Sequence, residues 1–527
     1  MKRRQILKYS ASLPLLGGST LLLKACGGSG GDGGAQPKGT LPIPELVRAD
    51  AATPVTLKIQ KGQYEFLPGK KSDSFGINGA LLGPALLVKS GAQFNVRVEN
   101  ALDEDSVLHW HGLLVDGGSD GGPASAVGPS KNYAVKAAVD QPAATLWYHA
   151  HPHMRTGFQT AMGVGGLLVV EDDASAALGL PHAWGEDDVP LVLQDKYLNA
   201  DGKLTYKLNH NTVGLGWFGQ HMFVNGVQQP THYAPRGWVR LRLLNACNAR
   251  VLKLRLGGNA TFHVIASDGG LLAAPVPVTE LVLAAAERFE ILVDGSAGQP
   301  IELIMARHDE QYGANAAPFD VDHTLLTIHP TLPAKNGLLP PVLAGLPEAQ
   351  APQGARERHI TFQLMGHFPI DPDPTGSLPE IWPFDFAWNE EDSVFDDHTL
   401  THINQIEVDG APMESFSLDT ASFRVLRGTY ERWRLTLRTG DTYPHPFHVH
   451  GTQFRILAIN GGPVPAHLQG WKDTVNITPA ANVRAAPGTV DILVRFDHAA
   501  AMPHPYMVHC HNLEHEDGGM MLGFEAV

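Results

Sequence analysis

The stretch His509-Cys510-His511-Asn512-Leu513-Glu514-His515, followed by Met520, limits this chain more than any other feature. In an extended strand successive side chains point to opposite faces, so Cys510 faces one way while His509 and His511 face the other. A thiolate, two imidazoles and a weak thioether make the ligand set of a blue-copper electron-transfer centre. Cys510, His515, Met520 and one upstream histidine would supply those groups. The histidines flanking the cysteine are then free to hold copper on the opposite face, and the backbone joins the two sites covalently.

Three further segments carry histidines at alternate positions. They are His445-Pro446-Phe447-His448-Val449-His450-Gly451, His109-Trp110-His111-Gly112 and Trp147-Tyr148-His149-Ala150-His151. A strand places such alternating pairs on one face. A single His-x-His is more often a surface or satisfied core pair than a metal site. Four clusters in one chain, the last containing the only cysteine in its half, argue for metal instead.

These four segments resemble the four copper signatures of the multicopper oxidases. The ending His-Cys-His-Asn-Leu-Glu-His-Glu-Asp-Gly-Gly-Met-Met-Leu-Gly-Phe is especially similar to the bacterial copper-efflux oxidase and laccase-like branch. The resemblance implies that His445, Cys510, His515 and Met520 hold a type 1 copper and that His109 and His448 hold a type 2 copper. It assigns His111, His149, His151, His450, His509 and His511 to two type 3 coppers, which makes one, one and two copper ions per chain. It also implies acidic residues near the cluster and at the copper that meets the donor, positions matched by Asp120 and Glu516, with a proton-relay role. Dioxygen is the implied electron acceptor.

The 527 residues suffice for about three domains. Abundant Gly and Pro, with alternating runs such as Phe94-Asn95-Val96-Arg97-Val98, point to all-β domains with frequent turns. The formal net charge of −15 argues against a nucleic-acid footprint. Leu254-Arg255-Leu256-Gly257 stands in a middle repeat where the outer repeats have His-x-His-Gly, with leucines replacing the histidines. The resemblance implies a cupredoxin-like β-sandwich for all three repeats. The expected layout is a leader and Gly-rich segment over 1–44, a first domain over 45–173, a copper-free second domain over 174–330, a linker over 331–354 and a third domain over 355–527. Because the clusters come from both ends of the chain, the trinuclear site is expected between domains one and three.

Lys2-Arg3-Arg4-Gln5-Ile6-Leu7-Lys8 resembles a twin-arginine export signal, which places the protein in the periplasm. Leu23-Lys24-Ala25-Cys26-Gly27 resembles a lipoprotein cleavage site, so Cys26 is a candidate lipid anchor, tethered through the Gly/Ser-rich run that follows. No other stretch approaches the roughly 20 apolar residues of a membrane span. Cys26 lies in the leader and Cys510 is assigned to copper, so Cys247 lacks an obvious partner and no disulfide is expected. A monomer is expected.

Several neighbours of the motifs read as bystanders. His153 extends the second cluster but exceeds the ligand set, Trp110 and Trp147 read as packing, and Met521 alternates away from the face of Met520. For the reducing substrate, the copper-efflux branch carries a methionine-rich insert suited to soft Cu(I). Here residues 366–400 contain no methionine but include Trp382-Pro383-Phe384-Asp385-Phe386 and Glu390-Glu391-Asp392. Asp441 matches an acidic substrate-contacting position of the branch, near an expected exposed edge of His445, and Tyr443 stands at the expected lip where a methionine is usual. An aromatic and acidic lip favours phenols or similar one-electron donors over Cu(I). The full histidine set speaks against a copper nitrite reductase and against a non-catalytic scaffold or division protein. Cu(I) oxidation in copper tolerance and copper sequestration remain alternatives.

Overall fold

The computed structural model describes residues 39–527 except 51–53, 207, 209, 309–317, 336, 347–348, 365–403, 414–415, 439–442 and 479–486. The leader with its twin arginines and Cys26, the acidic and aromatic insert, and Asp441 therefore lie outside the described residues. Among those described, no helix is long and apolar enough to cross a membrane.

Strands with one open face alternate in burial, while those between sandwiches, such as Ala144–Ala150 and Tyr506–Cys510, are buried on both faces. The segment Gln93–Asn100 alternates with Phe94, Val96 and Val98 fully buried, as a sheet with one face on a core requires. Among the described residues six sheets form, and they pair into three cupredoxin-like sandwiches around three separate cores.

The repetition is topological as well as architectural. In the first sandwich the strands Ala85–Lys89, Gly165–Glu171, Ala144–Ala150 and Leu108–His109 lie side by side in that order. The middle sandwich repeats the pattern with Thr231–Pro235, His323–Leu332, Ile301–Ala306 and Leu252–Leu256. The last repeats it with Phe423–Val425, Met521–Ala526, Tyr506–Cys510 and His445–Val449. In each, the first pair is parallel and the next two pairs are antiparallel. Leu252–Leu256 thus occupies the place of the histidine-bearing strands, and its Leu252, Leu254 and Leu256 are buried in the middle core.

Five site-bearing elements are labelled here in chain order. Strand β1 is Leu108–His109, β2 is Ala144–Ala150, β3 is His445–Val449, β4 is Tyr506–Cys510, and the short helix α1 is Leu513–Asp517. Cys510 pairs with Phe447, and His509 with His448, across β3 and β4. In β1 and β2, His109 pairs with His149. Alternation then decides which way each side chain goes. Leu108, Trp110, Tyr148 and Ala150 enter the first core, while Phe447, Val449, Val508 and Cys510 enter the last, and the intervening histidines face out of both.

Candidate metal centre

Cys510 is fully buried at the edge of the last core, with His445 and His515 beside it. The sulfur lies 3.5 Å from Nδ1 of His445 and 3.5 Å from Nδ1 of His515, and the two nitrogens are 3.3 Å apart. The centre of such a triangle is roughly 2 Å from each corner, close to ordinary metal–nitrogen and metal–sulfur bond lengths. His445 shares the strand parity of Phe447, which explains why it joins Cys510 rather than the histidines at 448 and 450.

The helix that carries His515 is fixed at its start. Asn512 caps α1 by accepting from the backbone N–H of Glu514 and His515. The His515 ring is oriented by the Gly214 carbonyl, 3.0 Å from its Nε2, which leaves Nδ1 turned to the sulfur. Met520 is buried in the same core as Cys510. Its backbone closes the turn, with its N–H donating to the His515 carbonyl and its carbonyl accepting from Cys510. Met521 packs instead with Phe416 and Met507 in a separate cluster.

On the opposite face of β4 the remaining eight histidines converge from the first and last sandwiches. His109 and His448 approach to 3.4 Å between their Nε2 atoms, and His450 and His509 to 3.2 Å. The donor atoms of His151, His450 and His509 form one compact group, and those of His109, His448 and His450 another. Ring centres of His111, His149 and His511 lie 5.2–5.6 Å apart, pair by pair. Burial, reinforced by neighbouring imidazoles, holds His111, His149, His448, His450 and His511 well below the usual histidine range, and His151 at about 4. Neutral imidazole is the form that binds metal.

Hydrogen bonds select the free nitrogen of six of the eight rings. Nδ1 of His109 lies 2.9 Å from the Asp120 carbonyl, Nδ1 of His149 is 2.9 Å from that of Ala150, and Nδ1 of His448 is 2.8 Å from that of Asp473. Nδ1 of His450 donates to the Asp120 carboxylate at 2.7 Å. Nδ1 of His509 lies 3.1 Å from the Cys510 carbonyl and 3.1 Å from Glu516. These contacts place the proton on Nδ1 and leave Nε2 facing inward. His111 is reversed, with Nε2 on Asp473 at 3.0 Å and Nδ1 facing inward. His111 Nδ1, His149 Nε2 and both ring nitrogens of His151 and His511 are buried with no hydrogen-bond partner among the described residues. Buried polar atoms are rarely left so, and four converging lone pairs fit a metal centre.

Asp120 and Glu516 both face this histidine cluster. Asp120 contacts His450 and His109, and Glu516 lies 3.1 Å from His509 and 3.5 Å from His151. Burial pushes the Glu516 carboxyl up, but the two imidazoles outweigh it and hold the group at about 2. Trp147 stacks on His149 at 4.1 Å, while Trp110 packs against Phe94. His153 is exposed, with its ring 5.4 Å from Phe416.

Two expectations about the donor side are corrected. Tyr443 is only 5% exposed, packed with Leu215, Phe218 and Ala249, so it forms an inner wall rather than a lip. Its ring lies 6.0 Å from that of His515. His445 presents no exposed edge, being fully buried. For Tyr443 the cover comes from Leu215, Phe218 and Ala249 of the middle sandwich, whose position is not encoded in the local motif. Asp473, Thr474 and Arg288 were not legible as site residues, since an isolated charge in a β-rich segment ordinarily reads as solvated. Cys247 is a buried free thiol.

Three multicopper oxidase family models match this chain, over residues 58–175, 187–319 and 392–527. The cell division protein FtsP of Escherichia coli is 34% identical, over 98% of this chain and 97% of its own length. The multicopper oxidase mco of Staphylococcus haemolyticus is 32% identical, over 88% of this chain and 87% of its own. Among solved structures, the laccase-like multi-copper oxidase CueO of a lignin-degrading Ochrobactrum superposes with a TM-score of 0.78 at 36% identity. That match covers 92% of this chain and 100% of the other, and the protein is described as having oxidase activity towards lignin model compounds and lignosulfonate. With the three models and these full-length relatives in agreement, the chain belongs to the multicopper oxidase family.

Proposed function

We propose that this chain is an exported, laccase-like multicopper oxidase that oxidises phenolic or similar one-electron donors and reduces dioxygen to water. The reading is carried by two buried donor sets on opposite faces of β4, one built on the Cys510 sulfur and the other on imidazoles with unused lone pairs. In it, His445, Cys510, His515 and Met520 would hold the type 1 copper, and His109 and His448 would hold the type 2 copper. His111, His149 and His511 would hold one type 3 copper, and His151, His450 and His509 would hold the other. When bound, copper supplies one-electron oxidation of the donor at the first site and four-electron reduction of dioxygen at the second.

The protein's own residues orient, exclude water and hold protons. Asp120 and Glu516 keep protons on Nδ1 of His450 and His509 and so turn Nε2 inward. Since these carboxylates reach both histidine groups, we also assign them to proton delivery. On the donor side, Tyr443, Leu215 and Phe218 give an apolar and aromatic wall beside His515. The preference for a phenol over Cu(I) rests instead on the methionine-free, aromatic and acidic run over 366–400. The twin-arginine-like leader supports export to the periplasm, with Cys26 as the candidate anchor and domain borders near 173, 330 and 354.

Cu(I) oxidation in copper tolerance is the second reading, supported by the resemblance of the C-terminal motif to the copper-efflux branch, and copper sequestration is a third. Likeness to the cell division protein FtsP favours a role in cell division, and the unbroken donor set speaks against a purely non-catalytic one. Steady-state oxygen consumption by copper-loaded protein with a phenol and with Cu(I) tests the assignment. Phenol is expected to be used more efficiently, and Tyr443→Met to shift the ratio towards Cu(I). Far higher efficiency with Cu(I) in wild type would replace the first reading by the second.

A further inference from the structure

Arg288 is where the three sandwiches meet. It opens the strand Arg288–Asp294 of the middle, histidine-free sandwich and is fully buried. Its guanidinium donates from Nε to the Thr145 carbonyl of the first sandwich at 3.2 Å. It forks onto Asp473 of the last, with Nη1 to Oδ1 at 2.8 Å and Nη2 to Oδ2 at 2.5 Å. Asp473 in turn reaches Nε2 of His111 at 3.0 Å through its carboxylate and Nδ1 of His448 at 2.8 Å through its carbonyl.

The fork is itself braced. The Arg288 backbone N–H donates to Asp268 at 2.8 Å, and the other oxygen of Asp268 accepts from the backbone N–H groups of Asp473 and Thr474 at 3.3 Å. Lys472 lies 3.0 Å from both Asp268 and Glu287. The Ala286 carbonyl receives Arg288 Nη1 at 2.9 Å, and Ala286 is held at φ +69°, where a residue with a Cβ is strained. Gly112, which follows His111, has φ +90°. A Cβ there would meet Asp473 Oδ2 at 2.6 Å and Arg288 Nη2 at 2.9 Å, so the close approach of the pair requires glycine.

Buried ion pairs are a poor means of gaining stability, because desolvation offsets most of their attraction. Five buried charges with strained backbone beside them therefore call for another purpose. We propose that Arg288 is a positioning residue through which the middle sandwich holds two ligands of the copper cluster, His448 of the type 2 copper and His111 of a type 3 copper. By clamping Asp473 it fixes the His111 tautomer that presents Nδ1 and the His448 tautomer that presents Nε2. The middle sandwich, which holds no metal ligand of its own, is thus part of the metal site. This rests on reading the histidine cluster as a copper centre.

The test compares copper-loaded wild type with Arg288→Lys and Asp473→Asn. Each is measured for copper per chain against a competing chelator, for the visible thiolate band and for the type 2 electron paramagnetic resonance splitting. Lysine keeps the buried positive charge but cannot form the fork, and asparagine keeps the shape but not the charge. Both variants are expected to retain the visible band while copper affinity at the histidine cluster falls about 10- to 100-fold, the usual cost of losing the partner of a ligand, with an altered type 2 splitting. Native copper retention and a native splitting in either variant would overturn the proposal. So would loss of the visible band together with the type 2 signal in both variants, which would mark general support of the fold. A wild type that shows no type 2 signal would sink the copper reading itself, a result distinct from either.

Discussion

Cys510 sets the character of the donor-side copper, because only a thiolate gives the covalent copper–sulfur bond behind an intense visible band. Cys510→Ser is therefore expected to lose that band and reduce donor oxidation to background, read by absorbance and oxygen uptake. A retained band at full copper content would refute the assignment. Met520 and Met521 differ by one position and by their surroundings, one in the core of Cys510 and the other against Phe416 and Met507. A thioether stabilises Cu(II) relative to Cu(I), so Met520→Leu should raise the type 1 potential in redox titration, and Met521→Leu should move it much less. An unchanged or lowered potential in Met520→Leu would point to another axial group.

The helix α1 ties the donor side to the middle sandwich through a buried acid. Glu514 accepts from the Trp217 backbone N–H at 2.9 Å, from Asn248 at 2.8 Å and from the Tyr206 hydroxyl at 2.8 Å. Burial nevertheless dominates and pushes its carboxyl up to about 7. An unfolded glutamate ionises near pH 4, so between roughly pH 4 and 7 the folded chain holds a proton that the unfolded chain has released. Stability from this group therefore falls as pH rises through that window, by an amount on the order of 3 kcal/mol once it is ionised. Glu514→Gln removes the dependence. In urea unfolding without added copper, wild type should lose more stability between pH 5 and pH 8 than the variant, and equal losses would contradict this account.

The strands at this scale were legible in sequence because the His-x-His spacing and the apolar residues between it share one period of two, as in Phe447, Val449 and Cys510. What escaped was contact made across sandwiches. Asp473 and Arg288 are 185 positions apart in the chain, and nothing local in Trp471-Lys472-Asp473-Thr474 announces a partner. Tyr443 was read as a lip because its motif says nothing of the segment around Leu215 and Phe218 that covers it.

For the molecule as a whole, three topologically equal sandwiches divide the work. The first and last supply the histidines, and the middle one supplies Gly214, Leu215 and Phe218 at the donor side and Arg288 at the cluster. The repeat whose strand Leu252–Leu256 buries its leucines in its own core, where the outer repeats have histidine-bearing strands, is thus a support on both sides of β4. The central claim is that these parts form one oxidase, with donor electrons entering at Cys510 and leaving to dioxygen at the imidazoles behind it. Its most direct test is oxygen consumption by copper-loaded protein supplied with a phenol, with the ratio of donor oxidised to oxygen consumed and any hydrogen peroxide measured together. The account predicts sustained uptake with four electrons withdrawn per dioxygen and no peroxide released. Copper-loaded protein with a strong visible band that consumes no oxygen, or that releases peroxide at two electrons per dioxygen, would contradict it.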